Sequence, residues 1–150
     1  ALCRLLGSYA LTADLEFMPW TGCKDLDHAR RLVEGADHPS AAVLVDSLHF
    51  DRCGATLEEL AALPTELMNY VQICDGPVPY DTSDAALIAV ARTARLIPGD
   101  GGIDLAAIAA LVPKDMTVSV EIPNRALAAE IGASELARRA LAATKRLLGD

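Results

Sequence analysis

The chain has 150 residues, 52% hydrophobic and 4% aromatic, with 13 basic against 21 acidic side chains and a formal charge of −8. That composition belongs to a globular domain with one aliphatic core, and its acidic balance excludes a general nucleic-acid or anionic-membrane binder, which needs clustered Lys and Arg. With no apolar run of about 18 residues and no signal peptide, and with Cys3, Cys23, Cys53 and Cys74 matching neither a zinc framework nor a disulfide scaffold, four reduced thiols in a cytoplasmic protein are expected.

The first segment, "ALCRLLGSYAL", lacks an initial Met and enters a helical pattern at once, as a piece of something longer would. Four strand–helix units follow. "LTADLEFMP" (11–19) reads as a strand, and "DLDHARRLVEGA" (25–36) places apolar residues at 26, 29, 32 and 33 on one helical face. "AAVLVDSLHF" (41–50) reads as a strand to its end. Behind it, "TLEELAALP" (56–64) offers Thr56 as N-cap and Glu59 as its capping-box partner. The third unit is "MNYVQICD" (68–75) with "TSDAALIAVARTARL" (82–96). In the fourth, "DMTVSVEIP" (115–123) precedes "ASELARRALAATKRLL" (133–148), which stops at Gly149, a natural C-cap.

The strands are near-continuous apolar runs, as in parallel sheets covered by helices. Right-handed crossovers then give a doubly wound sheet or a stretch of a (β/α)8 barrel. No G-x-G-x-x-G follows the first strand, which counts against dinucleotide binding. A whole barrel needs about 250 residues, so residues 1–150 are expected to form a partial barrel of four β/α units, its missing half supplied by further chain or by a partner, or lost. An open half would expose two parallel edges, which proteins normally avoid.

Each candidate strand carries an acid or amide near its C-terminal end: Glu16, Asp46, Gln72 and Glu121. In a barrel those ends share the face where active sites form. Four oxygen donors converging there would suit a hard divalent cation, Mg²⁺ or Mn²⁺, with Co²⁺ or Zn²⁺ as alternatives. A metal would also explain why two strands suited to a core each hold a glutamate, since a lone buried carboxylate is costly unless paired or coordinated. His49, three residues past Asp46 in "DSLH", could reach the metal's open side or a substrate oxygen; a surface histidine is the simpler reading. "RLIPGDGGIDL" (95–105) reads as a long structured loop, where Arg95 is either a fixed fork for a substrate oxygen or a helix-terminal cation. Trp20, the only Trp, is either an apolar ligand wall or packing.

The segments "LEFMPW", "VLVDSLHF", "VQICDGP", "RLIPGDGGIDL" and "VSVEIP", in this order, resemble the last four strands of the xylose-isomerase-like TIM-barrel family. That family includes sugar-phosphate isomerases and epimerases, inosose dehydratase, dehydroshikimate dehydratases and endonuclease IV. The resemblance implies Glu16, Asp46, Gln72 and Glu121 as metal ligands and Glu16 and Glu121 as the acid/base pair. It implies His49 and Arg95 as substrate contacts. Where the epimerases have His, this chain has Gln72, as dehydroshikimate dehydratases do; three histidines are too few for the endonuclease's trinuclear zinc site.

The function implied is metal-dependent isomerisation or epimerisation of a small polyhydroxylated carbonyl compound, by proton transfer through an enediolate. A dehydratase is the alternative, and a non-catalytic binding barrel a further one. A homo-oligomer, with no nucleic-acid or membrane partner, fits the same reading.

Overall fold

The computed structural model describes residues 1–149. A short helix, α1 (Leu2–Gly7), leads into four strands, β1 (Ala13–Glu16), β2 (Ala41–Asp46), β3 (Tyr70–Ile73) and β4 (Thr117–Val120). They form one parallel sheet in the order β1-β2-β3-β4. Sequential order with parallel pairing requires a crossover after each strand, and helices supply it. Between β1 and β2 runs α2 (Leu26–Ala36). Between β2 and β3 come α3 (Ser47–Arg52), α4 (Leu57–Ala61) and a 3₁₀ turn at Thr65–Leu67. α5 (Asp84–Thr93) and α6 (Leu105–Leu111) separate β3 from β4, and α7 (Arg125–Ile131) and α8 (Ala133–Leu148) close the chain. This is the four-unit portion of a (β/α)8 barrel anticipated from the sequence. Among the described residues, no helix is long and apolar enough to cross a membrane.

Register decides what each sheet face carries. Glu16 pairs with Leu44, Asp46 with Gln72, and Gln72 with Ser119. Side chains alternate along a strand with period two, so Glu16, Leu44, Asp46, Gln72 and Ser119 share one face, and Glu121, two past Ser119, continues it. The opposite face takes Leu15, Val43, Val45, Val71, Ile73 and Val118. Val43, Val45, Val71 and Ile73 belong to the central core with Leu26, Ala29 and Val33 of α2, Leu60 of α4 and Ile108 of α6. Each fully buried Val or Leu contributes roughly 1.5–3 kcal/mol, so this outer face holds the sheet and helices together.

Caps set the helix starts. Asp25 accepts the His28 amide at 2.8 Å, and Thr56 with Glu59 forms the expected capping box. Several boundaries depart from the sequence reading, with β1, β3 and β4 shorter at both ends than the runs that contain them. The run 41–50 is not all strand: the Asp46 carboxylate accepts the amides of Leu48 and His49 at 2.9 and 3.1 Å, which turns the chain into α3 at Ser47. Two unanticipated helices, α6 and α7, are each capped by an Asx side chain, Asp104 and Asn124. Gly132, at φ +83°, separates α7 from α8 in a conformation that favours glycine.

Candidate active site

Asp46 ends β2 and is fully buried. One carboxylate oxygen, Oδ1, caps α3; the other, Oδ2, accepts Nη1 of Arg95 at 2.6 Å. Capping also sets the position of His49, whose amide is one of the two donors. The His49 ring lies buried with Nε2 3.5 Å from Glu16 Oε1 and 3.4 Å from Arg95 Nη2. Trp20 meets it edge-on, with ring centroids 5.2 Å apart and planes at 78°. Trp20 therefore lines the site and packs within it at once.

Arg95 lies at the centre. Its side chain is only 4% exposed. Nε donates to Ala91 O at 2.9 Å, Nη1 reaches Asp46 and the Cys74 sulfur, and Nη2 lies 3.0 Å from Glu121 Oε2. Burial works against its charge, yet Asp46 and Cys74 outweigh it and hold the guanidinium more firmly protonated than in water. Glu121, just past β4, is the most exposed of the acids at 43%. Gln72 lies on the same face, next to Asp46 in register.

Three atoms of this cluster are buried without a hydrogen-bond partner among the described residues: Glu16 Oε1, Gln72 Oε1 and His49 Nδ1. Orphaned buried polar atoms are rare and costly, and they often mark a catalytic role or a missing ion. Titration follows from the same crowding. Burial, reinforced by Asp46 and Glu121, raises the Glu16 carboxyl to about 7. Burial lowers the His49 imidazolium to about 4, against the pull of Asp46 and with help from Arg95, so His49 is neutral at pH 7. Its Nε2 can accept from Arg95 Nη2 at 3.4 Å in the tautomer protonated at Nδ1, while Glu16 Oε1, 3.5 Å away, takes no hydrogen bond from it.

One ligand atom from each of Glu16, Asp46 and His49 lies within 4.8 Å of the others. This trio shares two residues with the tetrad that the resemblance implies. It adds His49, whereas Glu121 is held through Arg95. The donors suit a divalent cation: carboxylate oxygens, a neutral imidazole and an amide oxygen, each kind with one atom that lacks a partner among the described residues. An open cleft of about 330 Å³, lined by Glu16, Met18, Trp20, His49, Arg92, Arg95, Glu121 and neighbours, gives access. A larger groove of about 490 Å³ runs along α6, the start of β4 and the end of α8. Its lining is mostly Ala, Val, Pro, Met and Leu with a single Lys, so it lacks the convergent polar groups that chemistry requires.

Sequence reading did not single out Asp75, which organises the loop behind Arg95. Its carboxylate is buried and accepts four backbone N–H groups: Gly76 at 2.8 Å, Gly99 and Gly101 at 3.0 Å, and Ile103 at 3.1 Å. Its backbone exchanges two hydrogen bonds with Leu96, the residue after Arg95. A Cβ on Gly101 would stand 2.3 Å from Asp75 Oδ1, so only glycine fits there. The "CDG" exit of β3 facing "PGDGG" was the available signal. Ser47 ties the adjacent strand ends together, donating to Cys74 O at 2.7 Å and accepting the Cys74 amide at 2.9 Å.

The family model for xylose isomerase-like TIM barrels matches residues 1–147. Among solved structures, the IolI protein with a bound zinc atom aligns at a TM-score of 0.82 and 22% identity, over 98% of this chain and 53% of that one. A xylose isomerase-like TIM barrel/4-hydroxyphenylpyruvate dioxygenase fusion protein aligns at 0.72 and 26% identity, over 82% of this chain and 20% of the fusion. A xylose isomerase domain protein from Alicyclobacillus acidocaldarius subsp. acidocaldarius aligns at 0.61 and 22% identity, over 95% and 56%. No curated protein matches. The chain spans about half the length of the barrels it resembles.

Proposed function

The chain belongs to the xylose isomerase-like TIM-barrel family, and from that premise we propose that it carries the C-terminal half of a divalent-metal-dependent isomerase or epimerase acting on a small polyhydroxylated carbonyl compound. The observation that supports this most is the single sheet face on which Glu16, Asp46, Gln72 and Glu121 lie, with Glu16, Asp46 and His49 offering ligand atoms within 4.8 Å.

Glu16, Asp46, Gln72 and Glu121 would hold the cation, with His49 beside Glu16. When bound, such a cation supplies Lewis acidity toward the carbonyl and hydroxyl oxygens of the substrate. The chain's own residues carry the proton. A carboxylate held beside the substrate carbon can take a proton from it and give it back. Glu16 therefore removes the proton on one side, and Glu121 serves the neighbouring position. Neutral His49 offers a hydrogen bond to a substrate oxygen without adding charge. Trp20 walls the cleft, and Arg95 orients a hydroxyl or carbonyl once its guanidinium turns outward.

Gln72 supports a second reading. An amide cannot move a proton as an imidazole can, and with it the site resembles the dehydroshikimate-type dehydratases, where the abstracted proton is followed by loss of hydroxide. The four free cysteines support a cytoplasmic setting. The outer edges of β1 and β4 pair with no further strand among the described residues; four more β/α units or a second chain would complete the barrel, and the 150 residues alone should turn over little substrate.

Proton exchange tests both readings. Candidate ketoses, inososes and dehydroshikimate are incubated with the metal-loaded protein in D₂O and followed by NMR and ultraviolet absorbance. Deuterium entering beside a carbonyl marks isomerisation, and a new chromophore from dehydroshikimate marks dehydration. Glu16→Gln and Glu121→Gln should each abolish turnover and weaken metal binding. Metal-free ligand binding unchanged by both substitutions would leave a non-catalytic binding barrel instead.

A further inference from the structure

Three carboxylates share this site with one guanidinium: Arg95 pairs with Asp46 and Glu121, and Glu16 lines the same cleft. With all four ionised the cluster carries a net charge of −2. A divalent cation balances that charge, but two of the oxygens it needs are engaged. Asp46 Oδ2 and Glu121 Oε2 lie 2.6 and 3.0 Å from Nη1 and Nη2 of the same guanidinium. The second Asp46 oxygen is taken by the amides of Leu48 and His49. The Arg95 backbone, meanwhile, is fixed. Its carbonyl accepts Asn124 Nδ2 at 3.0 Å, and the next residue, Leu96, is hydrogen-bonded to Asp75. Any movement is left to the side chain, whose Nε is held to Ala91 O at 2.9 Å and which lines the open cleft.

We propose that Arg95 is the resident counter-cation of this site: it holds Asp46 and Glu121 in place of a divalent metal, and metal entry requires its guanidinium to release at least one of them. This rests on the metal-dependent reading above. It also makes one event of two. The metal gains its carboxylates as Arg95 is freed to face the substrate, so the fork becomes available only in the loaded site. A merely supporting Arg95, bracing the ligands from behind, would act with the opposite sign: its removal would weaken metal binding.

Mn²⁺ binding to the purified wild type, Arg95→Met and Arg95→Lys, measured at neutral pH by calorimetry and electron paramagnetic resonance, separates these. Removing one partner of a buried ion pair leaves its carboxylates uncompensated, so Arg95→Met should bind Mn²⁺ about tenfold tighter or more. Its metal-free form should melt earlier than wild type, and added Mn²⁺ should raise its melting temperature by the larger margin. Arg95→Lys keeps the charge without the two-pronged reach and should fall between. Should Arg95→Met fail to fold, Arg95→Lys against wild type decides in the same sense. Equal or weaker Mn²⁺ binding by the folded variants overturns the proposal and leaves the metal site standing. Absence of Mn²⁺ binding in wild type and variants alike overturns the metal reading and this proposal with it.

Discussion

The two faces of the sheet are built from the same four strands and obey opposite rules. The outer face carries Val43, Val45, Val71 and Ile73 against the helices, and every one of them is buried in the core. The inner face carries Glu16, Asp46 and Gln72, with two orphaned oxygens and one fully buried carboxylate. One face stabilises and asks nothing of chemistry. The other stores uncompensated polarity that stability alone would not tolerate, which is the pattern expected where function overrides packing. A structural ion-pair network would have left its acceptors satisfied.

The contrast breaks most sharply with a charge on the wrong face. Val45 and Asp46 are adjacent and point opposite ways. Val45→Asp buries an unpaired carboxylate among aliphatics, a cost of several kcal/mol that should leave no cooperative thermal transition by circular dichroism. Asp46→Ala is next. It strips Arg95 of its buried partner, typically 3–5 kcal/mol, and takes the cap from α3, about another 1 kcal/mol. Asp46→Asn keeps the Oδ1 cap and should recover part of that loss in urea unfolding, which would apportion the two roles.

Much of this contrast was legible in the amino-acid sequence. The acids come together because each stands near the C-terminal end of its strand, and in a barrel those ends share one face. The position of α3 was not. "AAVLVDSLHF" reads as strand throughout, and only the geometry of the Asp46 carboxylate, one oxygen per role, shows why the strand ends there. Arg95 is the larger lesson. Sequence spacing left it either a substrate fork or a helix-terminal cation, because the ion pairs that hold it span 49 residues to Asp46 and cross to β4's exit at Glu121. Asp75 escaped for the same reason: its four donors are backbone amides, which carry no side-chain signature.

Acid–base linkage sharpens the comparison further in the metal-free protein. Glu16 has its folded pKa raised from 4.5 to about 7, so the folded state holds the extra proton in that window and stability falls as pH rises through it. His49 has its folded pKa lowered from 6.5 to about 4; here the unfolded state holds the extra proton, and stability rises with pH across 4 to 6.5. Between 4.5 and 6.5 the two slopes oppose and largely cancel. Glu16→Gln should unmask the histidine, giving stability that climbs by up to about 1.4 kcal/mol per pH unit. His49→Gln should unmask the glutamate, with a falling slope. Denaturant melts at half-unit pH steps read both, and parallel profiles for the two variants would refute the assignment.

The smallest effect on stability is also the most telling about purpose. Gln72 Oε1 is buried without a donor among the described residues, a cost of about 1–3 kcal/mol for such a group. Replacing the amide by an apolar side chain of similar length removes that unmet demand. Gln72→Met should therefore leave the melting temperature of the metal-free protein unchanged or raise it slightly, whereas a residue kept for packing would lose stability. The same substitution takes one oxygen donor from the cluster and should weaken Mn²⁺ binding several-fold, read by the same titration used for Arg95. A variant that folds better and binds metal worse is the behaviour of a ligand, since an acceptor kept unsatisfied in the empty state serves the chain only through what it later coordinates.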